Sequence, residues 1–327
     1  MLDCNNYLFF TRNPMKLQQL RYLREVARRD LNISAAAEAL HTSQPGVSKQ
    51  IHLLEEELGV KILVRHGKRV ADITEPGRII LGIAERILHD TDNLKKVGTD
   101  FGEEDSGSLT IATTHTQARY ALPPVISRFI QRHPKVRLSL RESSPQQILE
   151  LMNAGAADLA ITTEAQELYR DLITLPCYQW NRCVITPLNH PLLKQQKLTI
   201  ESIARYPIIT YDFAFSGDSP IKRAFDARGI QPNVSLTAID ADVIKTYVEM
   251  GLGVGILARM AFDPARDHGL RLIDASHLFE ASTTRIGIRR NAYLRGYIYD
   301  FIEMFAPHLT RTVVEKTMRG GGADYEL

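Results

Sequence analysis

Cysteine is scarce, with three in 327 residues at positions 4, 177 and 183, an odd number lacking metal-ligand spacing. That scarcity excludes a disulfide framework and a zinc-ribbon fold, and points to a reducing compartment, the cytoplasm. Long apolar runs are also missing. No stretch approaches the about 18–20 consecutive apolar residues that span a bilayer, so no membrane partner is expected. Tyr7-Leu8-Phe9-Phe10 is too short for a secretory core, and no basic residue precedes it. A strong net charge is lacking as well: 40 Lys/Arg against 38 Asp/Glu leave +2. With 44% hydrophobic and 24% charged residues, the composition excludes a disordered, collagenous or coiled-coil chain. A chain of this length has room for two or three domains of about 100–200 residues each.

The small charge is unevenly spread. Residues 1–97 hold 15 basic and 12 acidic side chains, and residues 16–70 hold 10 against 6. A basic head on a neutral body fits a polyanionic partner for the head. Met15-Lys16-Leu17 reads as a second start, so residues 1–14 form an arm or upstream extension outside the fold argument.

From 17 to 97 the pattern is helical. Leu20, Leu23, Val26 and Ala27 share one face. Asn32 or Ser34 caps a short second helix through Leu40, and Thr42 or Ser43 caps a third with Pro45 in its first turn, which Gly59 ends. Residues 60–64 and 70–73 flank the basic turn Arg65-His66-Gly67-Lys68-Arg69, a short hairpin. Thr74 then caps a long helix with Pro76 in its first turn. Its Ile80, Ile83, Ile87 and Leu94 make a stripe with a heptad interval, which needs either a second copy of the chain or an internal bundle partner. Residues 98–107 read as a linker.

From Ser108 onward strands and helices alternate. Strands are predicted at 109–113, 136–141, 158–162, 183–186, 208–211, 234–239, 255–257, 270–273 and 282–289. Helices are predicted at 124–132, 145–154, 200–204, 220–228, 241–250 and 294–305. Serial βαβ units predict mostly parallel sheet, and about 200 residues of it divide more comfortably into two lobes than one. Gly320-Gly321-Gly322 opens a tail, 320–327, expected to be disordered.

On the third helix Val47, Ile51 and Leu54 form the buried stripe, while Pro45, Lys49 and His52 point away with Gln44 and Ser48 beside them. Such a helix suits the DNA major groove, and periodicity alone serves a solvated bundle helix equally well. After the first strand of the second half, Thr113-Thr114-His115-Thr116-Gln117-Ala118-Arg119-Tyr120 gathers hydroxyls, an amide and the start of a helix, which is either an anion site or simple capping. Thr162-Thr163-Glu164-Ala165 ends another strand, and Phe215-Ser216-Gly217 offers a hydroxyl from the second lobe. Gly251, Gly253 and Gly255 follow a helix and form its exit turn, not a dinucleotide loop. Cys177 and Cys183 read as packed strand residues rather than a redox pair. His115 has no nucleophile or carboxylate partner in the sequence pattern. No enzyme, cofactor or metal is therefore expected.

Residues 16–97 resemble the winged helix-turn-helix head of LysR-type transcriptional regulators. The resemblance rests on Ala36-Ala37-Glu38-Ala39-Leu40-His41, on Ser43-Gln44-Pro45-Gly46-Val47-Ser48-Lys49-Gln50-Ile51 and on Leu54-Glu55-Glu56-Glu57-Leu58-Gly59. It implies that Gln44, Pro45, Ser48 and Lys49, with His52 on the same face, read DNA, and that Arg65, Lys68 and Arg69 meet phosphate or the minor groove. Lys49 stands where many members carry Arg, which removes bidentate guanine geometry. Ile62-Leu63-Val64 stands where an aromatic usually precedes the wing arginine.

The remainder resembles the family's periplasmic-binding-protein-like effector module. The implied class is α/β, with a winged helix-turn-helix head at 15–73, a linker helix for dimerisation at 74–98, a hinge at 99–107 and an effector domain at 108–319. Lobe I would hold about 108–176 and 282–307, and lobe II about 177–281. Thr114, Thr116, Gln117, Thr163 and Ser216 would hold a small oxyanion or acylated serine. Within the family the chain is most similar to regulators of cysteine biosynthesis and sulfate assimilation. That implies O-acetylserine or N-acetylserine as inducer, sulfate or thiosulfate as competing anions, activation through RNA polymerase, and a dimer of dimers on promoter DNA. A sister branch implies sulfonate and sulfate-starvation genes, with adenosine phosphosulfate or sulfate as effector. A cytoplasmic solute-binding protein is the alternative from another class, and the helix-turn-helix pattern counts against it.

Overall fold

The computed structural model describes residues 15–67, 69–102, 106–163, 169, 172–215, 217 and 219–320. The chain divides into two compact units, Met1–Gly98 and Thr99–Leu327.

In the first unit, helices α1 (Leu17–Arg28), α2 (Ile33–Ala39) and α3 (Gln44–Leu58) precede the antiparallel hairpin β1 (Leu63–His66) and β2 (Arg69–Ile73). Local chemistry sets the boundaries. Asn32 accepts from the amides of Ser34 and Ala35 at 3.1 Å, Ser43 accepts from Gly46, and Gly59 closes α3 at φ 68°, a conformation only glycine takes without strain. Leu20, Leu23, Val26, Ala36, Val47, Ile51, Leu54 and Val70 make one core. Helix α4 (Glu75–Gly102) begins where the Thr74 hydroxyl accepts from Gly77 N at 3.0 Å. A Cβ on Gly77 would sit 2.3 Å from the Ile62 carbonyl, so α4 lies closer to the head backbone than any side chain allows. The helix continues to Gly102, past the expected break at 98, and takes in part of the expected hinge.

The second unit contains two five-stranded sheets. Lobe I has β3 (Gly107–Thr113), β4 (Val136–Glu142), β5 (Leu159–Thr162), β6 (Leu172–Trp180) and β12 (Ser282–Arg289) in the order β4-β3-β5-β12-β6. Lobe II has β7 (Arg182–Pro187), β8 (Ile208–Tyr211), β9 (Val234–Ala238), β10 (Val254–Ala258) and β11 (Leu270–Asp274) in the order β11-β7-β10-β8-β9. In lobe I, α5 (Pro123–Arg132) and α10 (Gly296–Phe305) cover one face, with Phe129 edge-on to Phe301 at 5.4 Å. α6 (Pro145–Asn153) covers the other, where Ala112 and Ala160 leave room for Ile148 and Met152. In lobe II, α7 (Ile200–Ile203), α8 (Pro220–Asp226) and α9 (Ala241–Glu249) supply Ile203, Phe225, Ile244 and Val248 to the core.

The sheets are mixed, which corrects the expectation of mostly parallel strands. Two of the four pairings in each sheet are antiparallel. The cause is the chain's double passage between lobes. β6 leaves lobe I and continues through Asn181 into β7, and β12 returns beside β6 with Ser282 opposite Trp180. Strands that carry the chain across must oppose their neighbours. β6 itself was not predicted, and it carries the lobe boundary from 176 to 180. A further helix, α11 (Arg311–Met318), packs Val314 on lobe I beyond the expected end at 307. The tail expected to be disordered falls, from 321 on, outside the described residues, as does the arm at 1–14. Among the described residues no helix is long and apolar enough to cross a membrane.

Candidate functional site: recognition helix and interlobe cleft

Helix α3 buries Val47, Ile51 and Leu54 and leaves Gln44, Pro45 and Lys49 exposed, with Ser48 half-buried beside them. Polar groups thus crowd the free face at the helix's N-terminal end, the end that enters a major groove in helix-turn-helix proteins. His52 is exposed but turned to its own helix, with Nε2 3.3 Å from Glu56 Oε1 and Nδ1 3.9 Å from Glu55 Oε2. Arg65 and Arg69 are exposed on the wing; Lys68 lies outside the described residues. An open groove among Arg29, Asn32, Ser34, Gln44, His66 and Arg69 joins the turn before α2, the start of α3 and the wing. Arg29 escaped the sequence reading and Ser34 was read only as a candidate helix cap, although a cation and a hydroxyl flanking the cap of α2 are the signal for them.

The residue that ties recognition helix to wing was also missed. Glu55 is 4% exposed, and its carboxylate accepts from the amides of Ile62 at 2.9 Å and Leu63 at 3.1 Å, and from Lys61 at 3.2 Å. Burial alone would raise its pKa; the Leu63 and Ile62 amides and Lys61 outweigh that and hold it below the ordinary glutamate value. These bonds delay β1 to Leu63 instead of residue 60. A carboxylate adjoining the apolar stripe Val47-Ile51-Leu54 was the available clue.

Along α4 the expected stripe splits. Ile80 and Ile87 are half-buried and pack against the head's own core beside the buried Ala84 and Leu88. Ile83 (41%) and Leu94 (72%) face outward, together with Ile79 (63%), which the heptad reading passed over.

In the second unit the parallel strands β3, β5 and β8 end at a small cleft between the lobes. Its wall is made by Thr114, Thr116, Gln117, Pro145, Thr162 and Thr163 of lobe I, with Trp180, Tyr211 and Phe213. None of these side chains is charged. Thr114, Thr116, Gln117 and Thr163 are therefore brought together, while Ser216, with Glu164 and Ala165, lies outside the described residues. Phe215 packs edge-on to Phe225 in lobe II at 5.7 Å. Crevices at the carboxyl ends of parallel strands are the usual ligand sites of such sheets, and that rule would have named Tyr211 from the sequence.

Residues after Thr114 enter a helical turn that becomes π-helical over Gln117–Ala121, a conformation concentrated at functional sites. Gln117 is almost fully buried. Its amide donates to Thr163 Oγ1 (3.3 Å) and Thr284 Oγ1 (3.1 Å) and accepts from the Tyr178 hydroxyl, so it organises the cleft floor. Thr116 Oγ1 donates across the cleft to the Tyr211 hydroxyl at 3.3 Å. The indole Nε1 of Trp180 is buried without a hydrogen-bond partner among the described residues. His115 is held by Glu142 at 3.0 Å, at the edge of the cleft. Burial pushes both the Cys177 and Cys183 thiols up to about 12, which keeps them protonated and unreactive near neutrality. Among the described residues no cluster of metal-ligating side chains is present.

Comparison with known families gives two matches: "Bacterial regulatory helix-turn-helix protein, lysR family" over residues 17–78, and "LysR substrate binding domain" over 102–310. The chain belongs to the LysR family of transcriptional regulators. It is thus a DNA-binding regulator and not an enzyme. Among relatives, this LysR-family chain is 53% identical over 313 residues to the HTH-type transcriptional regulator CysB of Burkholderia cenocepacia, covering 96% of the chain and all of that protein. It is 54% identical over 305 residues to the regulator SsuR of the same organism, covering 93% of the chain and 99% of that protein. The crystal structure of the cofactor-binding domain of the Cbl transcriptional regulator aligns with a TM-score of 0.63 at 39% identity, covering 66% of this chain and 95% of that one.

Proposed function

We propose that this LysR-family regulator controls genes of cysteine biosynthesis and sulfate assimilation, gated by a small sulfur-metabolism ligand between the lobes. The carrying observation is the cleft itself: Thr114, Thr116, Thr163 and Trp180 line a cavity between the lobes with no charged wall, and the buried Trp180 indole N–H has no hydrogen-bond partner among the described residues. Neutral donors stabilise an oxyanion or an acylated serine without binding it so tightly that release fails. The ligand is held by Thr114, Thr116 and Thr163, with Ser216 from lobe II and with Gln117 fixing the floor. O-acetylserine or N-acetylserine is the inducer in this reading, and sulfate or thiosulfate compete for the same donors. The likeness to CysB supports the cysteine assignment. The likeness to the Cbl domain supports a second reading, a regulator of sulfate-starvation genes that senses adenosine phosphosulfate or sulfate.

At the promoter, Gln44, Pro45, Ser48 and Lys49 enter the major groove, and Arg65, Lys68 and Arg69 meet phosphate. His52, engaged with Glu56, contributes less. The free α4 residues Ile79, Ile83 and Leu94 form the seam between protomers of a dimer of dimers that recruits RNA polymerase. Calorimetry on the full chain with sulfate, thiosulfate, O-acetylserine and N-acetylserine tests the ligand assignment. Thr114→Val removes one hydroxyl at constant shape and should weaken binding by about 1–3 kcal/mol. Binding that ignores both Thr114→Val and Thr163→Val would move the site elsewhere.

A further inference from the structure

We infer that Asp242 is a positioning residue for the effector cleft: it fastens the π-helical turn of lobe I to helix α9 of lobe II and so sets how readily the lobes stay together around a ligand. The inference rests on the reading of the cleft as the effector site.

The turn Gln117–Ala121 has two ends with different neighbours. Gln117, and Thr116 before it, line the cleft, whereas Arg119 and Tyr120 reach across to the other lobe. Tyr120 belongs to lobe I by chain position, yet its half-buried ring packs against the core of lobe II. Its hydroxyl donates to Asp242 Oδ1 at 2.7 Å, and Arg119 Nε pairs with Asp242 Oδ2 at 2.5 Å. From lobe II, Lys245 Nζ lies 3.0 Å from Asp242 Oδ1 and 5.4 Å from the Tyr120 ring centre. One carboxylate therefore gathers a phenol and a guanidinium from lobe I and an ammonium from lobe II. His115 completes the cluster: Nε2 points to Asp242 Oδ2 at 3.7 Å and has no hydrogen-bond partner among the described residues.

The energetics of opening fall unevenly on this cluster. Lys245 is also paired within its own lobe, to Asp267 at 3.1 Å and to the Ala261 carbonyl at 3.1 Å, so it keeps its partners when the lobes part. Asp242 keeps Lys245, its neighbour on α9, but loses Tyr120 and Arg119, and the Tyr120 hydroxyl loses its acceptor. Half-buried networks of this kind polarise one another and are worth more than an exposed ion pair. Burial alone would raise the Asp242 carboxyl; Tyr120, Lys245 and Arg119 outweigh it and hold it below the ordinary aspartate value, so the latch is ionised near neutrality. An effector that touches both lobes binds only the fraction of molecules whose lobes are together, and its apparent affinity scales with that fraction. The same turn carries cleft residues and latch, so a change at one end is felt at the other.

The test uses the full chain and its single tryptophan, Trp180, which lines the cleft. Asp242→Asn keeps an acceptor for Tyr120 but removes the charge, Tyr120→Phe removes only the hydroxyl, and Asp242→Glu restores the carboxylate. In the ligand-free protein, acrylamide quenching of Trp180 should rise about twofold in Asp242→Asn and Tyr120→Phe, and return partway in Asp242→Glu. Thiosulfate affinity should fall about 5- to 20-fold, because a smaller fraction is competent to bind. Quenching equal to the parent in both Asp242→Asn and Tyr120→Phe overturns the latch, whatever the parent binds. Raised quenching with a parent that binds none of the sulfur ligands leaves the latch standing and removes the effector assignment instead.

Discussion

Glu55→Ala should loosen the joint between recognition helix and wing. The carboxylate accepts from two backbone amides, Ile62 at 2.9 Å and Leu63 at 3.1 Å, in a site where the side chain is 4% exposed. Each amide left without an acceptor costs about 1–3 kcal/mol, so the pair costs about 2–6 kcal/mol before the segment relaxes toward water. The ion pair to Lys61, whose side chain is 67% exposed, adds little. A loss near 3 kcal/mol is a large share of the about 5–15 kcal/mol that holds a domain folded. Glu55→Gln keeps one acceptor oxygen without the charge and should cost about 1 kcal/mol. Hydrogen exchange reads the site directly, since the Ile62 and Leu63 amides should lose protection in the alanine variant while α1 keeps its own. The pH dependence has a definite sign. Because the folded carboxyl sits below its ordinary value, its contribution is present above that value and is lost as pH falls through the folded one. Unchanged protection at Ile62 and Leu63 in Glu55→Ala, with unchanged promoter affinity, would refute the reasoning.

Other outcomes follow from the same geometry. Lys49→Ala should weaken promoter binding across sequences and flatten its salt dependence in a salt-matched gel shift, whereas Gln44→Ala should relax preference at one base pair by about 1–3 kcal/mol. Ile83→Asp places a charge on the free face of α4 and should lower the oligomer seen by light scattering while the head stays folded; Ile87→Asp, half-buried against the head, should unfold the head instead. Gly77→Ala puts a methyl 2.3 Å from the Ile62 carbonyl and should lower the melting temperature of the head by several degrees, measured by calorimetry. Cys177→Ser should leave the response to peroxide no different from the parent's, because a buried thiol held near 12 offers almost no thiolate.

The helices were legible in the sequence because their signals are local. Asn32, Ser43, Ser144, Ser219 and Asp240 each accept from an amide two or three positions on, and Pro45, Pro145 and Pro220 stand where a missing N–H is harmless. Most strands were legible as apolar runs between those helices. The dense motif from Ser43 to Ile51 carried the family, and the Thr-rich segment after β3 marked one wall of the cleft. What the tertiary structure alone decided involves partners far apart in the chain. Gln117 meets Tyr178 at a separation of 61 residues and Thr284 at 167, and Thr116 meets Tyr211 at 95. No periodicity links such positions. β6 escaped notice because its middle carries Pro176, and the antiparallel pairings followed from its passage toward lobe II. The outward face of α4 was misjudged by part of a turn because a heptad pattern states that a stripe exists, not which half of it the chain's own head will cover. The inward turn of Glu55 was not legible because a sequence shows charge and spacing, whereas two amides folding back from residues 62 and 63 hold the carboxylate inside.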